Sequence, residues 1–215
     1  MIRIAALIFV TQAIFSFSGH LGQAGTLTPN PAPLPTVNVH PSILQGQMMP
    51  YIPQPNFVQL NVPLEPVLKV KNEIQQAIQT RLLSRGEAHI TVITPPEFEK
   101  IKRFVTIEEL HQAAALIFNM QSFEYEIKCL GIGLKEDPRQ DLRTFFLVVE
   151  SEQLFRFRKE IFDLYLLRGG NPSAYDPKAY WPHITVGYTQ RDLHLSDGIF
   201  KGMNSCIANV LMSTF

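Results

Sequence analysis

From Asn56 onward, hydrophobic and polar residues follow two different periods, and each switch of period marks a new element. Residues 56–62 alternate with period two. Phe57, Gln59 and Asn61 fall on one face and Val58, Leu60 and Val62 on the other, which predicts a strand. After Pro63 and Pro66 the period lengthens: Val67, Val70, Ile74, Ala77, Ile78 and Leu82 recur at helical spacing, and Ser84-Arg85-Gly86 ends that helix. His89-Ile90-Thr91-Val92 returns to period two. Thr94-Pro95-Pro96-Glu97 is a capping box with proline at the first helical position, and Thr106-Ile107-Glu108-Glu109 is a second, opening a helix with Leu110, Ala113, Ala114 and Ile117 on one side. Residues 123–134 and 142–149 read as two strands around a charged, turn-prone loop. Ser151 then caps a helix with an apolar stripe of Leu154, Phe157, Ile161, Leu164 and Tyr165, closed by Gly169-Gly170. A loop leads to His183-Ile184-Thr185-Val186, and 205–212 reads as one more strand. The order predicts an α+β fold with an approximate internal duplication.

Upstream of this pattern the chain changes character. One positive charge, Arg3, precedes an apolar run from Ile4 to Phe17 and then small and polar residues. That run is short for a bilayer span, and the order of parts predicts a secretory signal peptide over 1–24, cleaved after Gly22-Gln23-Ala24. The expected outcome is an exported, periplasmic or secreted protein with no stable membrane insertion after cleavage. Ten prolines fall between Pro29 and Pro66, and no charged residue occurs between Arg3 and Glu65. Proline removes backbone donors and breaks helices, so 25–55 is expected to be an extended or disordered tether and 56–215 the folded domain.

Charge and cysteine content narrow the function. Acidic and basic residues balance at 19 each among 215, so no global field favours duplex DNA or an anionic membrane. Cys129 and Cys206 are the two cysteines. They are a disulfide candidate in an exported chain, although spacing alone leaves Cys129 equally open to being a buried thiol. Neither stands at metal-ligand spacing, and no metal or other cofactor is expected.

The chemistry-bearing feature is the tetrapeptide His-Ile-Thr-Val, used twice. On a strand, residues two apart share a face, so His89 and Thr91 point one way and His183 and Thr185 do the same, with the isoleucines and valines turned into a core. If a pseudo-twofold axis relates the halves, the two strands lie side by side and the four polar side chains line one cleft. Near neutral pH one imidazole can be neutral and the other protonated, which suits general acid–base attack on a phosphodiester. The threonine hydroxyls can donate to the non-bridging oxygens. Trp181, with the parity of His183, is a candidate base-stacking platform. Arg143 could reach a phosphate or form a surface ion pair; His194, His111, His20 and His40 receive no role.

The paired H-x-T-x motifs resemble those of the 2H phosphoesterase superfamily. Three further stretches, 57–63, Leu130-Gly131-Ile132-Gly133-Leu134 with 143–149, and Trp181-Pro182-His183-Ile184-Thr185-Val186, are similar to its RNA 2′,3′-cyclic phosphodiesterase group. The extension at 191–198 looks closer to the exported bacterial "Swiss army knife" RNA-repair-like group. The resemblance implies a two-lobed duplicated fold with antiparallel sheets lining a central cleft and helices outside. It implies His89 and His183 as catalytic residues, Thr91 and Thr185 as phosphate ligands, and a nucleotide or RNA-end phosphoester as substrate. Alternatives are a binding protein of the same fold without turnover, an enzyme for 2′,5′-linked oligonucleotides or another phosphoester, and an envelope protein with a vestigial cleft.

Overall fold

The computed structural model describes residues 36–49, 56–119 and 123–214. The expected signal peptide, and 25–35 and 50–55 of the expected tether, lie outside the described residues. Eight strands, β1 (Thr36–Val39), β2 (Gln47–Met48), β3 (Val58–Asn61), β4 (His89–Ile93), β5 (Glu126–Lys135), β6 (Leu142–Glu150), β7 (His183–Tyr188) and β8 (Cys206–Met212), form one sheet in the order β1-β8-β5-β6-β7-β4-β3-β2. Among the described residues four α-helices complete the α+β fold: α1 (Leu64–Ile78), α2 (Pro95–Ile101), α3 (Ile107–Asn119) and α4 (Glu152–Leu167). Among the described residues no helix is long and apolar enough to cross a membrane.

The core follows from strand parity. Ile90, Val92, Ile184 and Val186 are buried in one cluster with Val67, Val70 and Ile74 of α1, Leu110 and Ala114 of α3, and Leu154, Phe157, Ile161 and Tyr165 of α4. The helices therefore cover the face into which these strand residues point. Both expected capping boxes form: Thr94 and Glu97 bond reciprocally, as do Thr106 and Glu109. Ser151 departs from expectation. It stands at the N-cap of α4, but its hydroxyl donates to the Glu124 carbonyl at 2.8 Å instead of accepting from the helix.

One side chain of α4 was not expected inside. Arg158, fully buried, donates to the carbonyls of Val92 (2.8 Å) and Pro177 (3.0 Å) and to Glu97 (2.6 Å), with Tyr180 ringing its guanidinium at 4.3 Å. It ties α4 to β4, to the start of α2 and to the loop before β7.

The tether expectation is corrected for 36–49. β1 runs parallel to β8 at the sheet edge, β2 pairs with β3, and Val37, Val39 and Ile43 are fully buried. β1 itself contains no proline, and alternation within Thr36-Val37-Asn38-Val39 suffices for an edge strand, while Pro41 opens the short helical turn Pro41–Leu44 that follows. Deleting the chain through Met49 is expected to destabilise the rest, because each of those aliphatic side chains contributes ~1.5–3 kcal/mol on burial. A urea melt of the truncated chain that matched the full chain would restore the tether reading.

Cys129 and Cys206 form a disulfide linking β5 to the start of β8 across 77 residues. Closing a loop of that length constrains the unfolded chain, an effect worth about 4.5 kcal/mol in the chain-entropy model.

Candidate active site

β4 and β7 are antiparallel neighbours, with Ile90 opposite Ile184. That register sets His89 across from Thr185 and Thr91 across from His183. All four are partly exposed while the residues between them are buried, so they form one polar patch on the face away from the core. The neighbouring strands extend the patch. Asn61 pairs with His89 and Gln59 with Thr91, and the Gln59 amide donates to Asn61 at 2.8 Å. On the other side Phe146 lies opposite Thr185 and Val148 opposite His183, forming with Cys129 a small apolar cluster beside the site.

The two imidazoles sit in different surroundings. His183 Nδ1 is 2.7 Å from the Trp181 carbonyl. A carbonyl only accepts, so Nδ1 carries the proton and the neutral ring keeps its lone pair on Nε2. Burial pushes the His183 pKa well below its usual value, the Lys201 and His89 charges push the same way, and the Trp181 bond and Asp192 only partly oppose this. His89 is also lowered by burial, but Glu87, with its carboxylate 3.6 Å from Nδ1, favours the imidazolium.

The segment after β7 supplies the remaining charges. Leu193 donates its backbone N–H to the buried Thr144 hydroxyl, which draws this segment back against β6. There Asp192 Oδ1 accepts from Lys201 Nζ at 2.9 Å and Asp192 Oδ2 from Arg85 at 3.1 Å. Thr185 Oγ1 stands 3.4 Å from both Lys201 Nζ and Asp192 Oδ2. Burial would raise the Asp192 carboxyl, but the Lys201 charge and hydrogen bond hold it below the usual carboxylate value; burial lowers the Lys201 ammonium. His194 edges this network, 3.4 Å from Arg85.

Asp192, Lys201 and Arg85 were missed in the sequence. The available signal was Lys201 alone in Ile199-Phe200-Lys201-Gly202-Met203, a lone cation in an apolar run. Arg143 instead pairs with Asp141 at the β5–β6 turn, its Nε 2.7 Å from the carboxylate. Trp181 packs edge-on to Phe200, ring centres 4.9 Å apart, at the His183 end of the patch.

Among the described residues no group of three or more His, Cys, Asp and Glu is placed to hold a metal ion. A separate concavity of about 790 Å³ is lined in part by Glu124, Glu126, Glu150, Glu152 and Arg156. It contains none of the His-Thr residues, and its carboxylates disfavour an anionic ligand.

The family described as Swiss Army Knife, 2H phosphoesterase domain matches residues 56–194, both His-Thr strands included. The chain belongs to this family. No curated protein matches the chain. The family places this 2H phosphoesterase among the phosphoester hydrolases; β1, β8 and Lys201 lie outside the matched stretch.

Proposed function

We propose that this 2H phosphoesterase hydrolyses 2′,3′-cyclic phosphodiesters of nucleotides or RNA ends by paired-histidine acid–base catalysis. The register at the β4–β7 seam carries the reading, because it gathers an imidazole and a hydroxyl from each strand on one accessible face. The units β3–α1–β4 and β6–α4–β7 each end on a His-Ile-Thr-Val strand, which supports a duplicated, two-lobed design about that seam.

His183, with Nε2 as its basic nitrogen, is the general base: it takes a proton from water as the oxygen attacks phosphorus. His89, beside Glu87, is the general acid: it protonates the ribose oxygen as the P–O bond of the ring breaks. Thr91 and Thr185 donate to the non-bridging oxygens, where negative charge grows. Trp181, with Phe200 against it, offers a surface on which a base stacks. The Cys129–Cys206 disulfide suits an oxidising compartment and supports export.

Turnover of 2′,3′-cyclic AMP in EDTA is the test. Ring opening to a single monophosphate, undiminished by the chelator, is expected; binding without product would leave a binding protein, and loss in EDTA would end the two-histidine chemistry. The pH profile adds a check. Both imidazoles are lowered from 6.5 in the free protein, so kcat/KM should be bell-shaped with its maximum on the acid side of neutrality. A bound phosphate anion favours both imidazolium forms, so the kcat profile should lie at higher pH. A kcat/KM maximum well above neutrality would contradict the assignment.

A further inference from the structure

Lys201 and Asp192 are a buried ion pair, their side chains 4% and 6% exposed. Burying two charges is costly, and apolar residues of like volume would generally stabilise a fold as well or better. What the pair faces gives the better account of it. Lys201 Nζ reaches Thr185 Oγ1 at 3.4 Å and lies 5.6 Å above the Phe146 ring, which itself meets the His183 ring edge-on at 5.9 Å. Across the seam the neighbour of His89 is instead a carboxylate, Glu87. Opposite charges therefore flank the two histidines.

Resting on the phosphodiesterase reading above, we propose that Lys201, locked by Asp192, is a positioning residue: it holds the Thr185 hydroxyl for the phosphate and sets a fixed cation behind His183. The ammonium donates to Thr185 Oγ1, which leaves the hydroxyl's own proton to choose an acceptor. At rest that acceptor is Asp192 Oδ2, at 3.4 Å, a long and weak contact for an O–H donor. Asp192 is already satisfied by Lys201 and Arg85, so an arriving phosphate oxygen takes the Thr185 proton without leaving a carboxylate unpaired. The cation also adds positive charge on the side where the phosphate's negative charge grows.

The charged and titratable groups acting on His183 are Lys201 and Asp192 from the segment after β7 and His89 from β4; β6 presents the neutral Phe146 and Val148. Removing the ammonium favours the imidazolium, so His183 should titrate at higher pH. Lys201→Met and the double variant Lys201→Met/Asp192→Asn, made in the full chain with the disulfide intact, test this by two routes. Ring titration of His183 by NMR needs no substrate: an upward shift is expected in Lys201→Met and a smaller one in the double variant. On 2′,3′-cyclic AMP, kcat should fall roughly tenfold or more with KM little changed, and the acid limb of the rate profile should move up with the titration. The double variant leaves no uncompensated buried lysine or aspartate, so it serves if the single variant does not fold. A folded variant with unchanged His183 titration and unchanged rate profile overturns the proposal. Wild-type protein that fails to open the cyclic phosphate overturns the functional reading instead, and the titration then still decides what Lys201 does to His183.

Discussion

His183→Ala should lower kcat on 2′,3′-cyclic AMP by about 10²–10⁴-fold, the range that a positioned acid or base contributes, and His89→Ala should do the same. The two variants should part company on a substrate with a better leaving group. An aryl phosphodiester departs without being protonated, so His89→Ala should recover much of its activity there. His183→Ala should not, because the attacking water still needs a base. The asymmetry follows from the surroundings: the His183 proton is fixed on Nδ1 by the Trp181 carbonyl, and Glu87 stands beside His89. Rescue of His183→Ala in place of His89→Ala would reverse the assignment. Retention of most activity by either variant on the cyclic substrate would remove that histidine from the reaction.

Arg158→Met is expected to have the largest effect on stability. It leaves the Val92 and Pro177 carbonyls without the arginine donor and half-buried Glu97 without its cationic partner. Removing one member of a buried ion pair typically costs 3–5 kcal/mol, which for a domain of this size corresponds to roughly 10 °C in melting temperature. Glu97→Gln should cost less, since Arg158 keeps its carbonyl acceptors and the glutamine oxygen can still accept from Thr94. Melting temperatures that ranked the two variants the other way would show that Glu97, with its cap on α2, matters more than the arginine.

These residues also show what was legible in the sequence. The His-Thr patch could be read because strand parity is local: two residues apart means one face, and a register of side-by-side strands does the rest. The four helices were legible from apolar spacing and two capping boxes. Arg158 was hidden although it stands at helical spacing from Leu154, Ile161 and Tyr165, because a charged residue at an apolar position is read as the edge of the stripe. β1 was hidden by the prolines on either side of it, from Pro29 to Pro35 and at Pro41, whose density outweighed four alternating residues. Asp192, Lys201 and Arg85 come from segments without a period, and their meeting depends on the path back across β6, which sequence spacing does not encode.

The placement of β1 has a consequence in time. Its backbone partners are Asn209 to Met212, far from it in sequence. A ribosome delivers Thr36 well before those partners, so β1 waits unpaired until β8 has been made. Contacts this distant in sequence also form slowly. Until β8 appears, Val37 and Val39 have no finished core to enter.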